Sequence, residues 1–192
     1  AVIGGTGKSG RYLVQELVKK GFSLKAIVRN PENFKIKNDL VEVVYGDVRD
    51  YEIVKSLIEG CDVVLSTLGG TPLSEPTVFS KSTRNILTAM TEFNIKRYVV
   101  VTGLNVDTSL DKKSPKTKFA TDWMYTNFPK STKDRQDEYD ILVQSNSEWT
   151  LVRLPLIIMT DERLETKTSL EDCLGDKISA TNLADFLIEQ MS

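Results

Sequence analysis

The sequence predicts an α/β fold, a doubly wound parallel sheet with helices on both faces in three layers, α/β/α. Three observations carry this. Short runs rich in Val, Ile and Leu recur at 24–28, 41–45, 62–65, 97–101 and 149–152, with helical patterns between them. Several of these runs are apolar continuously rather than alternately, as strands buried on both faces must be. The first ten residues join an apolar run to a turn with four glycines and then to a helical pattern. A chain of 192 residues suffices for one sizeable core and is short for two, so residues 1–192 are expected to form one domain.

The elements follow in order. The chain opens inside its first strand and without a methionine, so residues are expected to have been lost before Ala1. The first helix carries Leu13, Val14, Leu17 and Val18, and Gly21 caps its end after Lys19 and Lys20. The second strand ends at Arg29-Asn30-Pro31. The third leads to Gly46-Asp47-Val48 and a helix bearing Tyr51, Val54, Leu57 and Ile58, which Gly60 stops. A fourth strand passes into a 66–70 loop, and the helix over 76–93 aligns Phe79, Thr83, Ile86, Leu87 and Met90. After the fifth strand, a helix at 134–145 precedes the sixth, and Ser179 caps a last helix carrying Leu183, Phe186, Leu187 and Met191. Residues 104–133 break this rhythm and are expected to be largely irregular. They hold Lys112, Lys113, Lys116 and Lys118, then Phe119, Trp123, Met124, Tyr125 and Phe128. The 104–130 stretch reads either as a lid or substrate wall, or as a satellite core filled by its aromatics.

Composition narrows the chemistry. The chain has no histidine, which excludes a His-based triad and a His-containing metal site; no metal is expected. Cys61 and Cys173 read as reduced thiols, which places the protein in the cytoplasm. A net charge of −2 gives no reason to expect nucleic acid, and no apolar run reaches the ~20 residues of a membrane span.

The glycine turn supplies the site. A helix N-terminus carries unpaired N–H groups and partial positive charge, so a phosphate or pyrophosphate is its natural ligand. Gly4 would make the tight turn, Gly7 would let the backbone approach the ligand, and Gly10 would let the helix lie close on the sheet. A P-loop reading of Gly7-Lys8-Ser9 needs a glycine at position 2, where Val2 stands. In a dinucleotide-binding, Rossmann-type fold, the residue ending the second strand reads the adenosine ribose. That residue is Arg29, which suits a 2′-phosphate, with Lys8 as a second cation; NADP(H) is therefore expected over NAD(H). Asp47 either accepts from the adenine amino group, with Val48 against the ring, or is a turn or cap residue. Gly69 and Gly70 either pass close to the ribose and nicotinamide or form an ordinary turn.

These residues resemble a family. Gly4-Gly-Thr-Gly-Lys-Ser-Gly10, Val28-Arg29, Gly46-Asp47-Val48, Leu68-Gly69-Gly70 and Arg84-Asn85-Ile86 are similar to the atypical short-chain dehydrogenase/reductases. Within them, the NmrA-like proteins and the small biliverdin-IXβ/flavin reductases are the closest groups. The segments 97–102, 149–155 and 178–184 extend the likeness over nearly the whole chain. The resemblance implies a cofactor site that also takes in Thr6, Ser9, Leu68, Thr102 and Pro155. It departs at the chemistry. The Tyr-x-x-x-Lys dyad is missing: Pro129 follows Tyr125 at plus four, and Val143 follows Tyr139. Ser131 and Arg135 stand at the dyad positions, Thr102-Gly103 replaces the threonine-serine of the flavin reductases, and Arg135 and Leu156 replace their histidines.

Thr102 and Arg135 remain as candidates at the reacting end. Thr102 would bond the nicotinamide carboxamide. Arg135 would hold an anionic substrate or the nicotinamide-side phosphate, or else is a helix-surface charge. The expected function is an NADPH-dependent reductase passing hydride to a flavin, quinone or similar small acceptor, as a monomer or small homo-oligomer. The alternative is an NADP(H)-binding redox sensor without turnover.

Overall fold

A computed structural model describes residues 1–70 and 75–192. Its elements are β1 (Val2–Ile3), α1 (Lys8–Lys19), β2 (Leu24–Val28), β3 (Val41–Tyr45), α2 (Tyr51–Ile58), β4 (Val63–Ser66) and α3 (Val78–Glu92). There follow β5 (Arg97–Gly103), α4 (Pro115–Asn127), α5 (Pro129–Val143), β6 (Glu148–Leu154), β7 (Leu156–Ile158), β8 (Lys177–Ser179) and α6 (Ala180–Glu189). The main sheet is six-stranded and wholly parallel, in the order β3-β2-β1-β4-β5-β6. The doubly wound fold expected from the sequence is the fold observed.

Two cores follow from the two faces. Leu13, Val14 and Leu17 of α1 and Leu183, Ala184 and Leu187 of α6 pack on Val2, Ala26, Leu65, Val99 and Val152. On the other face, Val54, Leu57, Ile86, Met90, Ile141 and Leu142 from α2, α3 and α5 cover Ile3, Ile27, Val64, Tyr98 and Val100. Neighbouring residues of one strand thus serve opposite layers, which is why these strands are apolar at successive positions. Strand order reverses between β1 and β4, and the glycine turn lies at that switch point, where open α/β sheets bind ligands. Gly21 ends α1 as expected: its φ is +81°, and the N–H of Phe22 reaches back to Leu17 O at 3.0 Å.

The 104–133 segment differs from expectation. Most of it is helical, comprising α4 and the start of α5, broken at Phe128 before Pro129. The Ser114 side chain accepts from Thr117 N, and Pro115 sits in the first turn, both ordinary helix starters. The helix was illegible because the residues it buries are Thr117 and Thr121, so no apolar stripe marks it. Its aromatics point outward, Phe119 being 72% and Trp123 49% exposed, which removes the satellite core. The small parallel sheet β7–β8 is a second feature that the pattern did not show. Among the described residues, no helix is long and apolar enough to cross a membrane.

Candidate functional site

The turn between β1 and α1 is built by backbone contact. Gly4 has φ +81°, and a Cβ there would lie 2.7 Å from the carbonyl carbon and oxygen of Thr67. A Cβ on Gly10 would lie 2.1 Å from Gly4 O and 2.7 Å from Thr67 Oγ1. The start of α1 therefore sits against the turn and the end of β4, closer than any side chain permits. Gly7 is the N-cap, and its N–H donates to Gly4 O at 2.9 Å. Among the described residues no side chain caps α1, and no acidic residue lies in its first turn. An uncapped helix start in a glycine cradle, with Lys8 exposed and Thr6 and Ser9 half-buried beside it, fits a dinucleotide pyrophosphate.

Arg29 follows the last residue of β2, exposed and, among the described residues, without an ion pair. Asp47 is engaged: Arg49 donates Nε to its Oδ1 at 2.9 Å and Nη2 to its Oδ2 at 2.8 Å. These bonds hold the Asp47 carboxyl below the usual carboxylate range, and the nearby charge of Arg29 adds to the effect. Arg49 also reaches Glu75 at 2.5 Å. Val48 is buried in the core, and its carbonyl accepts from Asn85 Nδ2 at 3.2 Å. The Asp47 geometry is thus that of the turn residue, with its lone pairs partly committed before any adenine arrives.

After β4, Leu68 is half-buried and Gly69 and Gly70 are exposed; a Cβ on Gly70 would meet the Phe79 ring at 2.9 Å. Arg135 reaches this loop from α5. Its Nη2 donates to Leu68 O, its Nη1 lies 2.6 Å from Glu138 Oε2, and its Cζ lies 3.3 Å from the Phe79 ring centroid. The Arg135 and Glu138 side chains are 11% and 2% exposed. Arg135 is neither a surface charge nor a free anion receptor; it ties α5 and α3 to the β4 loop. Glu138 also accepts from Thr83 Oγ1 at 3.0 Å, and Asp134 accepts from the N–H groups of Phe79 and Ser80 at 2.7 and 3.2 Å. Asp134 thereby caps α3 from another helix, since Thr77, the N-cap of α3, makes no side-chain bond. The Tyr98 hydroxyl is fully buried beside this cluster; burial, with the charge of Glu138, pushes its pKa up.

At the carboxyl end of β5, Thr102 is 4% exposed and, among the described residues, its Oγ1 has no hydrogen-bond partner. Pro155 follows β6, half-buried. Beyond β5 the loop is held by charge. Arg153 Nη1 lies 2.6 Å from Asp111 Oδ1, and Lys113 Nζ lies 2.6 Å from Asp107 Oδ1 and 3.5 Å from Asp111 Oδ2. Burial raises the Asp111 pKa, but hydrogen bonds from Thr108 and Arg153 outweigh it and hold the carboxyl low. A cavity of about 230 Å³ opens between this loop and α4, lined by Asp107, Asp111, Lys113, Lys118, Asp122 and Tyr125 among others. Burial, then the charges of Asp107 and Asp140, raise the Tyr125 hydroxyl pKa.

A family model described as NAD(P)H-binding matches residues 4–192. The chain belongs to that NAD(P)H-binding family. Its place is among the atypical short-chain dehydrogenase/reductases of NmrA-like type, as the motifs suggested. A chloroplastic divinyl chlorophyllide a 8-vinyl-reductase from Arabidopsis thaliana is 31% identical over 141 residues, covering 64% of this chain and 34% of that protein. A photosystem II assembly factor from Trieres chinensis is 25% identical over 178 residues, covering 89% of this chain and 56% of that protein. The chain thus spans about a third to just over half of these relatives. A short-chain dehydrogenase/reductase from Veillonella parvula, solved in complex with NADP, superposes with a TM-score of 0.72 at 17% identity, covering 98% of this chain and 84% of that one. That likeness concerns the fold.

Within this family setting, several residues escaped the sequence reading. Asp134, Glu138, Lys113, Arg153 and Asn105 carry the buried polar structure around the strand ends. For two of them a signal existed. Asp134, Glu138, Ile141 and Leu142 stand at helical spacing, so both carboxylates share the inward stripe of α5. Lys113, Arg153 and Asn105 have no such pattern.

Proposed function

We propose that the protein is an NADPH-dependent reductase that passes hydride to a flavin, quinone or similar small acceptor. The observation carrying the cofactor preference is Arg29, which ends β2 exposed and, among the described residues, without a counter-ion. A guanidinium there holds a 2′-phosphate by paired, charge-assisted bonds, with Lys8 as a second cation. The α1 N-terminus takes the pyrophosphate through Gly4, Thr6, Gly7, Ser9 and Gly10. The Leu68-Gly69-Gly70 loop, fixed by Arg135, borders the nicotinamide half, and Thr102 and Pro155 close it from β5 and β6. NADPH, when bound, supplies the hydride. The chain's own contribution is positioning, since neither Tyr125 nor Tyr139 has a lysine four residues on to make a dyad, and water can deliver the proton.

The missing dyad favours a second reading, an NADP(H)-binding sensor without turnover; the relative named as an assembly factor is consistent with it. The two separate in one experiment. NADPH binding is followed by nucleotide fluorescence, and NADPH oxidation is measured across FMN, quinones and small carbonyls. The reductase reading expects turnover with at least one acceptor. Tight binding with silence across the panel would leave the sensor.

A further inference from the structure

Helix α4 presents an aromatic face to solvent. Phe119 and Trp123 stand four residues apart and so share one side of the helix. Both are exposed, while the other side of α4 buries Thr117 and Thr121. The patch continues past the helix end, where the exposed Phe128 ring meets the Trp123 ring edge-on, with centroids 5.7 Å apart. Thr126 and Asn127 fold their side chains back onto the carbonyls of Asp122 and Trp123 at 2.9 and 2.8 Å, so the end of the helix adds no charge to the patch. At ~200 Å² for a whole aromatic side chain, the three rings expose about 300 Å². That matches the largest patch on a typical monomer, and such patches mark contact sites.

The charges beside the face decide what fits it. Most lysines of the region are committed within the chain: Lys112 to Glu171, Lys113 to Asp107, Lys116 to Asp176 and Lys133 to Asp137. Lys118 and Asp122 are not. Both are exposed, both stand on the flank of α4 that lines the cavity, and among the described residues neither makes an ion pair. An antiparallel copy of α4, related by a two-fold axis level with residue 121, sets Phe119 of each chain against Trp123 of the other. The same rotation keeps one flank beside the other. It brings Lys118 of each chain within two residues of the level of Asp122 of the other, a rise of ~3 Å that a lysine stem spans. One unpaired cation and one unpaired anion therefore meet twice. A face with one unpaired charge of each sign suits its own copy better than a uniformly acidic or basic partner.

We propose that the aromatic face of α4 is where two copies of this chain meet, in an isologous contact. Two such faces bring together about 600 Å² of aromatic surface. With an apolar share of about 60%, the whole contact buries about 1,000 Å², the lower bound for a specific interface. The dimer is reversible, dissociating at micromolar concentration. Because Lys118 and Asp122 also line the cavity beside α4, the second copy borders its mouth.

The test is sedimentation equilibrium of the whole chain from about 1 to 200 μM. Wild type is expected to pass from one chain to two across that range. Phe119→Glu puts a charge at the centre of the contact and should weaken association about thirtyfold or more. Lys118→Glu and Asp122→Lys each set like charges against one another twice, and each alone should weaken it about tenfold. An equimolar mixture of these two variants restores both pairs, so its association should return to the wild-type level. All three positions are exposed, and urea midpoints should stay near wild type. A wild type that is monomeric throughout, a dimer indifferent to Phe119→Glu, or charge variants that fail to recover on mixing would each overturn the proposal. So would binding of a monomeric wild type to phosphatidylserine–phosphatidylcholine vesicles that Phe119→Glu abolishes, a result that would give the face to a bilayer.

Discussion

Gly10→Ala separates a glycine needed for packing from one that is merely permitted. The new Cβ would lie 2.1 Å from Gly4 O, whereas ordinary contact begins at 3.4 Å, so about 1.3 Å of movement is required. Gly4 is poorly placed to yield, because its own α-carbon faces the Thr67 backbone at a distance where a Cβ would stand 2.7 Å away. Alanine gains at most ~1 kcal/mol over glycine in a helix, while overpacking costs ~1–3 kcal/mol. The variant should therefore lose up to about 2 kcal/mol in urea unfolding. Any displacement of the turn also misaligns the N–H groups facing the pyrophosphate. One charge-assisted bond lost is worth ~1.5–3 kcal/mol, so NADPH affinity should fall tenfold or more by fluorescence titration. Gly21→Ala is the control. Its φ is +81° with nothing within 4 Å, so it should cost about 1 kcal/mol of stability through strain and leave affinity unchanged. A Gly10→Ala protein that matches wild type in both measurements, or a Gly21→Ala protein that loses affinity equally, would refute the cradle.

Three further predictions follow from the same geometry. Arg29→Glu should weaken NADPH about ten- to a hundredfold and NADH by less than about threefold, measured by titration of each; equal wild-type affinities for the two would sink the 2′-phosphate argument. Glu138→Gln leaves the Arg135 guanidinium buried without its counter-charge and should cost ~3–5 kcal/mol in urea unfolding, most of it recovered by replacing both residues with Met; a loss under about 1 kcal/mol would mean the pair is not buried in solution. Hydrogen bonds from Thr117 and Ser114 hold the Asp172 carboxyl at about 2, below its ordinary 3.8. A lowered folded-state pKa stabilises above the unfolded value, and that stabilisation is lost as pH falls from about 4 to 2. Asp172→Asn should therefore flatten stability against pH in that window alone, and an unaltered acid limb would remove the assignment.

How much of the fold was legible depended on what each element buries. The strands of the central sheet are covered on both faces by apolar helices, so Val, Ile and Leu mark them directly. Helices α1, α2, α3 and α6 each press an apolar stripe on that sheet, and their periodicity shows it. Helix α4 does not; it buries Thr117 and Thr121 and turns Phe119 and Trp123 outward, the reverse of the pattern that reveals a helix. Only its cap, Ser114-Pro115, was available to read, and a cap without a stripe is weak. Strands β7 and β8 are three residues each, too short for any period.

The site divides along the same physical line. A pyrophosphate is held by backbone N–H groups, and backbone that must turn sharply and approach closely demands glycine, so Gly4, Gly7 and Gly10 announce themselves. Arg29 could be proposed from the sequence because its position is counted from those glycines. The reacting end is held by side chains whose partners are remote in sequence. Arg135 reads as a solvated helix charge until Leu68 O, Phe79 and Glu138 are seen around it, and Asp134 reads the same way until the uncapped start of α3 appears. The buried charges there are already committed to one another, Arg135 to Glu138 and Lys113 to Asp107. Among the described residues they leave the Thr102 hydroxyl unmet at the carboxyl end of β5. Charges already committed to one another name no substrate, which is why the reaction is harder to read from residue types than the cofactor.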